Sequence, residues 1–281
     1  MEKAFVFGEK KNLIGILSQP GVPVDGQDKS SEDKPLVLIL NSGFVHRPGP
    51  FRMNREFSMF LADNGYSSFR FDLSGVGDSE KQAMDSMVYK ERNLSDIGEA
   101  LAFINDTVKP RRIVVMGLCT GADLAHKAAV KYSEISGTVS LDGYGYPTSR
   151  FYLKRYGPVL LDPMRMFRIF SRLLLQFIPG AGSGEVSESG ADAYYWVLPD
   201  KKDYIADMEN MHRAGKKHFY AYTGGVAEYY NYESQFADAF QSCAFKDGVQ
   251  VSCFHYSDHT YILLSQRKQL FDKILKWLDV F

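Results

Sequence analysis

Residues 113–121, IVVMGLCTG, constrain the fold of this chain more than any other stretch. A continuous apolar run reads as a strand buried on both faces. Gly117-Leu118-Cys119-Thr120-Gly121 follows, and residues 121–132 continue with helical spacing. A strand that passes into a helix through so tight a turn strains the backbone of its central residue. Gly117 and Gly121 leave room where a side chain would strike the neighbouring strand or helix. The G-x-C-x-G spacing fits the sharp turn that holds up a nucleophile, with cysteine in the place usually taken by serine. The helix points its N-terminus at the sulfur, which favours a thiolate. The plainer reading of GLCTG is a buried structural cysteine between a core strand and a helix.

The same alternation runs along the chain. Residues 3–7 and 13–17 read as short strands joined by a charged turn, and residues 19–34, rich in Pro, Gly, Ser and Asp, as a surface loop. Further strands are expected at 36–40, 66–71, 113–116, 138–141, 218–222 and 249–254. Helices are expected at 55–64, ended by Gly65, at 94–108 with Asp96 near its start, and at 121–132, 232–245 and 261–280. Alternating β and α segments predict a mostly parallel central sheet with helices on both faces. Residues 147–200 break the rhythm, contain PGAGSG, and read as a helical lid insertion; residues 1–146 and 201–281 then form the core.

Apolar residues make up 45% of the chain and charged residues 24%, and the formal net charge is −1, so no global charge points to nucleic acid or an acidic membrane. Cys119, Cys243 and Cys253 form neither a disulfide framework nor a zinc-ligand pattern. The chain opens without a signal-like apolar run, and no stretch approaches the roughly 18 apolar residues of a membrane span. A cytoplasmic location, where a free thiol survives, is the expectation.

Residues 257–260, SDHT, follow the last expected strand and precede the last helix. That loop can bring an imidazole to the turn, and the chain order places the nucleophile first and the histidine last, so His259 is the candidate base. Its orienting carboxylate is expected just after the penultimate strand, where Glu228 comes first; Asp142, at the end of the preceding strand, is the rival. A Cys–His pair depends less on such an acid than a Ser–His pair, because a thiol ionises more readily. Asn41-Ser42-Gly43-Phe44 follows the first long buried strand. The backbone N–H groups of Phe44 and Thr120 are the expected oxyanion donors, with Gly43 turning the chain away. His46 and Arg47 adjoin that loop, either as substrate contacts or to fix the loop by hydrogen bonds, and Tyr144, Tyr146, Tyr229 and Tyr230 suit either pocket lining or packing.

Together these motifs resemble the α/β-hydrolase superfamily. Residues 69–79, FRFDLSGVGDS, are similar to its strand-four signature R-x-D-x-x-G-x-G-x-S. The cysteine turn and the NSGFVHRPGP loop resemble the cysteine-type hydrolases of bacterial polysaccharide-export and natural-product gene clusters, and dienelactone hydrolase also uses cysteine. The oxyanion loop departs from the usual HG, and the usual acid position lacks the common Asp. The resemblance implies an α/β-hydrolase fold and an acyl-transfer enzyme that acts on a small ester, thioester or lactone and requires neither metal nor organic cofactor. Acyl transfer or cyclisation, elimination of an acyl group, and non-catalytic binding on the same fold are the alternatives. Arg150, Lys154, Arg155, Arg165, Arg168 and Arg172, interleaved with apolar residues, suit either a solvated helix face or recognition of an anionic acyl carrier.

Overall fold

The computed structural model describes residues 1–21, 33–80, 89–160, 164 and 198–281. Strands β1 (Glu2–Phe7), β2 (Leu13–Ser18), β3 (Leu36–Ile39), β4 (Ser68–Phe71), β5 (Ile113–Leu118), β6 (Ile135–Leu141), β7 (Lys217–Thr223) and β8 (Val249–Phe254) form one sheet. Their order is β1-β2-β4-β3-β5-β6-β7-β8. The first two strands form an antiparallel hairpin, and β2 pairs antiparallel with β4. From β4 to β8 every pairing is parallel.

The central strands are apolar throughout because each face meets a helical layer. In β3, Leu36 and Leu38 enter one core while Val37 and Ile39 enter the other. In β5, Ile113 and Val115 divide from Val114 and Met116 in the same way. The first core is closed by α2 (Tyr89–Thr107), α3 (Thr120–Lys131) and α5 (Lys201–Arg213), the second by α1 (Met53–Asp63) and α7 (Leu264–Leu278). Helix α1 shows why the layers hold: Met53, Phe57 and Leu61 recur at a spacing of four and all are fully buried.

Three expected elements differ. Helix α2 starts at Tyr89, so Asp96 lies well inside it; its buried carboxylate accepts hydrogen bonds from Ser74 N (2.7 Å) and Oγ (2.8 Å) and is a tertiary anchor rather than a charge on the helix end. The span 232–245 contains only the short α6 (Gln235–Ala239), followed by a 3-10 turn at Ala244–Gly248. Phe236, Phe240 and Phe245 are buried there through ring contacts with one another, which irregular backbone satisfies as well as a long helix. Helix α7 begins at Leu264 because Asp258 first folds a turn, accepting from Thr260 N (2.8 Å) and Ile262 N (2.9 Å).

The expected insertion opens with α4 (Ser149–Leu160), which contains Pro158. Most of its remainder, including PGAGSG, Arg165, Arg168 and Arg172, lies outside the described residues, as does most of the expected loop at 19–34. No helix among the described residues is long and apolar enough to cross a membrane.

The passage from β5 to α3 is closely packed, backbone against backbone. A Cβ on Gly117 would lie 2.1 Å from the backbone carbonyl of Gly121, and one on Gly121 would lie 2.5 Å from the Asn41 carbonyl oxygen. Backbone atoms cannot yield as a side-chain tip can. Gly117→Ala is therefore expected to destabilise the fold by about 3 kcal/mol, at the upper end for overpacking. Equilibrium urea unfolding would show it as a lower midpoint with an unchanged slope.

Candidate active site

Cys119 sits between β5 and α3 with φ 56° and ψ −121°. A left-handed φ in a non-glycine residue costs on the order of 1–3 kcal/mol, and its neighbours impose it here. Cys119 N donates to the Leu141 carbonyl (2.9 Å), and its own carbonyl accepts from Ala122 N (2.9 Å). The thiol is half-buried and within hydrogen-bonding reach of His259.

His259 Nδ1 lies 2.8 Å from Asp142 Oδ2. Asp142 follows β6 directly and is itself in the left-handed region, at φ 48°. Its side chain is fully buried. Burial of a bare carboxylate would be prohibitive, but Thr223 N and Thr223 Oγ1 each donate to it, both at 2.7 Å. The hydrogen bond donated to Asp142, then the interaction with Cys119, push the His259 imidazole from 6.5 up to about 10 against the opposing effect of burial. Nδ1 is thereby committed to Asp142, which leaves Nε2 as the nitrogen for proton exchange with the thiol.

The expectation that Glu228 orients the histidine is not met. Glu228 is exposed, and its backbone carbonyl accepts from Arg155 Nη1. The register explains the difference: β6 and β7 are adjacent and parallel, so carboxylates after either strand start from the same edge of the sheet. The Thr223 donors, at the end of β7, hold the one from β6.

On the opposite side of Cys119, Gly43 N donates to Thr120 Oγ1 (2.8 Å), tying the loop after β3 to the start of α3. Phe44 follows on that loop with its side chain 70% exposed, and Thr120 is the first residue of α3. Arg47 is not positioned for substrate: its guanidinium pairs with Asp72 and Asp78, and its backbone N donates to Asp72 Oδ1 (2.5 Å). His46 is exposed. Asp72 is buried and also accepts from Asn41 Nδ2 (3.2 Å), while Asn41 Oδ1 accepts from Leu73 N (2.9 Å). Asn41 and Asp72 thus lock the two loops together. The sequence contained both, but nothing local marked them as partners 31 residues apart.

Residues 27–156 match the dienelactone hydrolase family. Solved structures superpose over nearly the whole chain. A hypothetical protein of Pseudomonas aeruginosa has a TM-score of 0.60 at 14% identity, with 99% of this chain and 93% of that one covered. An esterase of Pyrococcus furiosus has a TM-score of 0.60 at 14% identity, with 100% and 91% covered. The fold is that of the α/β-hydrolases. A thioesterase domain from the curacin biosynthetic pathway shares it, with a TM-score of 0.57 at 16% identity and 98% and 99% covered. No curated protein matches the chain.

The tyrosines of this α/β-hydrolase fold divide. Tyr144 and Tyr146 are buried in an aromatic cluster with Tyr204, and so serve as packing rather than exposed lining. Tyr230 is also buried and stacks on Tyr222 at 3.6 Å. Tyr229 is half-buried and donates to the Asp142 carbonyl (2.9 Å), beside the dyad. Burial, then Asp142 and Cys119, push its phenol up. Of the other thiols, Cys243 is buried, and burial pushes Cys253 up to about 11.

Two outcomes follow from this electrostatic arrangement. In an NMR titration, the His259 imidazole should lose its proton near pH 10, and in Asp142→Asn it should return toward 6.5. A histidine raised on folding stabilises fully below its unfolded value, and that contribution disappears as pH passes the folded value. The pH-dependent part of the stability gap between wild type and Asp142→Asn should thus be constant below 6.5 and vanish through about 10. Brief iodoacetamide treatment at neutral pH should alkylate Cys119 ahead of Cys243 and Cys253, as read by peptide mass spectrometry.

Proposed function

We propose that this protein is an acyl-transfer enzyme of the esterase or thioesterase type, with Cys119 as nucleophile, His259 as proton carrier and Asp142 as orienting acid. The observation that supports it best is that the strained turn holds Cys119 against an imidazole whose far nitrogen is fixed by a buried carboxylate.

In the proposed reaction Cys119 reacts as the thiolate paired with the His259 imidazolium, and Sγ bonds to the substrate carbonyl carbon while Nε2 keeps its proton. The carbonyl electron pair moves onto oxygen, which rests against the N–H groups of Phe44 and Thr120. Collapse of the tetrahedral adduct re-forms the carbonyl and breaks the bond to the alkoxide or thiolate leaving group. That group departs with the proton from Nε2, leaving an acyl thioester on Cys119. Water attacks this thioester while giving a proton to Nε2, and collapse of the second adduct releases the carboxylic acid and restores the Cys119 thiolate beside the His259 imidazolium. Asp142 remains ionised throughout, and its bond to Nδ1 keeps the imidazole from turning away.

Intact-protein mass spectrometry after brief incubation with short acyl thioesters and aryl esters tests this reading. Wild type should gain one acyl group, and Cys119→Ala none. His259→Ala should lower kcat/KM by about 10³-fold, within the usual range for loss of a positioned acid–base group. The alkaline limb of kcat/KM should fall near pH 10, where His259 loses its proton, and should move down in Asp142→Asn. Turnover by Cys119→Ala at the wild-type rate would refute the covalent route.

A further inference from the structure

A cleft of about 490 Å³ is lined by residues of α4 and of the segments after β7 and β8, among them Arg150, Lys154, Asn231, Tyr232, Glu233 and His255. Its volume is that of an ordinary small-ligand site. Arg150 and Lys154 stand one turn apart on α4 and both lie over the ring of Tyr232, at 4.8 and 5.6 Å from its centroid. Tyr232 is buried, and its hydroxyl is 2.5 Å from Thr148 Oγ1. The ring is therefore a fixed platform that holds two cationic heads on one side of the cleft.

The opposing charges are few. Glu233 lines the cleft, and Asp238 Oδ2 is 3.8 Å from Arg150 Nη1, a loose contact for a guanidinium that is 58% exposed. His255 adds an imidazole from the loop after β8. A further feature distinguishes the cleft from a merely basic surface. Asn231 is held by its Nδ2, which donates to the Phe151 carbonyl (3.1 Å), and by its backbone N, which donates to Gln235 Oε1 (2.9 Å). With the amide fixed in that orientation, its buried Oδ1 accepts no hydrogen bond from the described residues. The cleft thus offers cations for an anion, and Asn231, one of its lining residues, carries an unpartnered amide oxygen.

The cleft and the triad share their loops. His255 lies four residues before His259, its carbonyl close against Gly224, while Gly225 abuts the His259 backbone. Arg155, on the same helix as Arg150, donates to the Glu228 carbonyl, and the next residue, Tyr229, donates to the Asp142 carbonyl.

We propose that this cleft binds the phosphate and an adjacent amide of a phosphopantetheinyl thioester, with Arg150, Lys154 and His255 on the phosphate and Asn231 Oδ1 on the amide N–H. This deepens the acyl-transfer reading above and rests on it for the identity of the reacting group. The phosphopantetheinyl arm has two sources, a free coenzyme thioester and a carrier protein, and the test separates them.

One acyl group would be presented on pantetheine, 4′-phosphopantetheine, coenzyme A and a phosphopantetheinylated acyl carrier protein, and kinetics measured for each. The KM for the phosphopantetheine thioester should be about tenfold below that for the pantetheine thioester, at low salt, consistent with one desolvated charge contact. In the double variant Arg150→Ala, Lys154→Ala the ratio of the two KM values should fall to near one. A lower KM for the carrier than for coenzyme A would assign the carrier as the source, and the reverse order the free coenzyme. Equal KM values with and without phosphate in wild type would overturn the proposal, as would a ratio unchanged in the double variant. Calorimetric titration of Cys119→Ala with phosphopantetheine and with pantetheine reads the cleft without any acyl chemistry. Preference for the phosphorylated compound with no turnover of any thioester would uphold the cleft and overturn the acyl-transfer reading. Turnover without that preference would do the opposite.

Discussion

The site depends on how closely three pieces of backbone approach one another: the end of β5, the first turn of α3, and the loop after β3. Gly121 lies against the Asn41 carbonyl, and Gly117 against Gly121. No side chain fits between them, so the turn cannot relax and Cys119 is kept in its left-handed conformation. The same approach lets Gly43 N reach Thr120 Oγ1. Nucleophile and candidate oxyanion loop are consequently positioned by one contact rather than by two independent ones. A shift of the loop after β3 would be felt at the sulfur, through backbone that has no slack.

A second element is a set of buried carboxylates above the sheet. Asp72, Asp96 and Asp142 are each at most 1% exposed. Each would be costly in isolation, and each is surrounded by donors that offset the loss of water. Asp72 gathers Asn41, Arg47 and the Asp78 N–H, Asp96 gathers Ser74, and Asp142 gathers Thr223 and His259. Apart from Thr223, the last residue of β7, these donors come from loops. The carboxylates therefore specify loop conformations that hydrophobic burial alone would leave loose. The strand-four signature is explained on this basis: Asp72 is its hub, while Ser79 Oγ donates to the Asp72 carbonyl (2.6 Å) and accepts from Ile14 N (2.9 Å).

The strand and helix order was legible in the sequence because it depends on local periodicity. Residues 113–121 marked the turn, and the position of His259 after the last strand marked the candidate base, since both are statements about neighbours along the chain. The acid was harder. Glu228 and Asp142 follow adjacent parallel strands, and what separates them is Thr223, an unremarked threonine whose two donors meet only Asp142. Arg47 could not be resolved between substrate contact and loop anchor for the same reason: its carboxylate partners lie 25 and 31 residues on. The expected helix at 232–245 failed because Phe236, Phe240 and Phe245 are buried by ring contacts that no periodic backbone requires.

With Asp142 on β6 as the proposed acid, the segment after β7 is relieved of a duty. Residues 224–234 reach the triad through Gly225 against the backbone of His259 and through the Tyr229 hydroxyl on a backbone carbonyl, contacts that involve no carboxylate of their own. In the proposed enzyme, chemistry and substrate choice are thereby housed in separate parts of the chain. Under selection, this loop and the helix that rests on it can lengthen, change charge or exchange aromatic groups while Asp142, His259 and Cys119 stay aligned. A lineage built on such a plan can change what it acts on without first losing the ability to act.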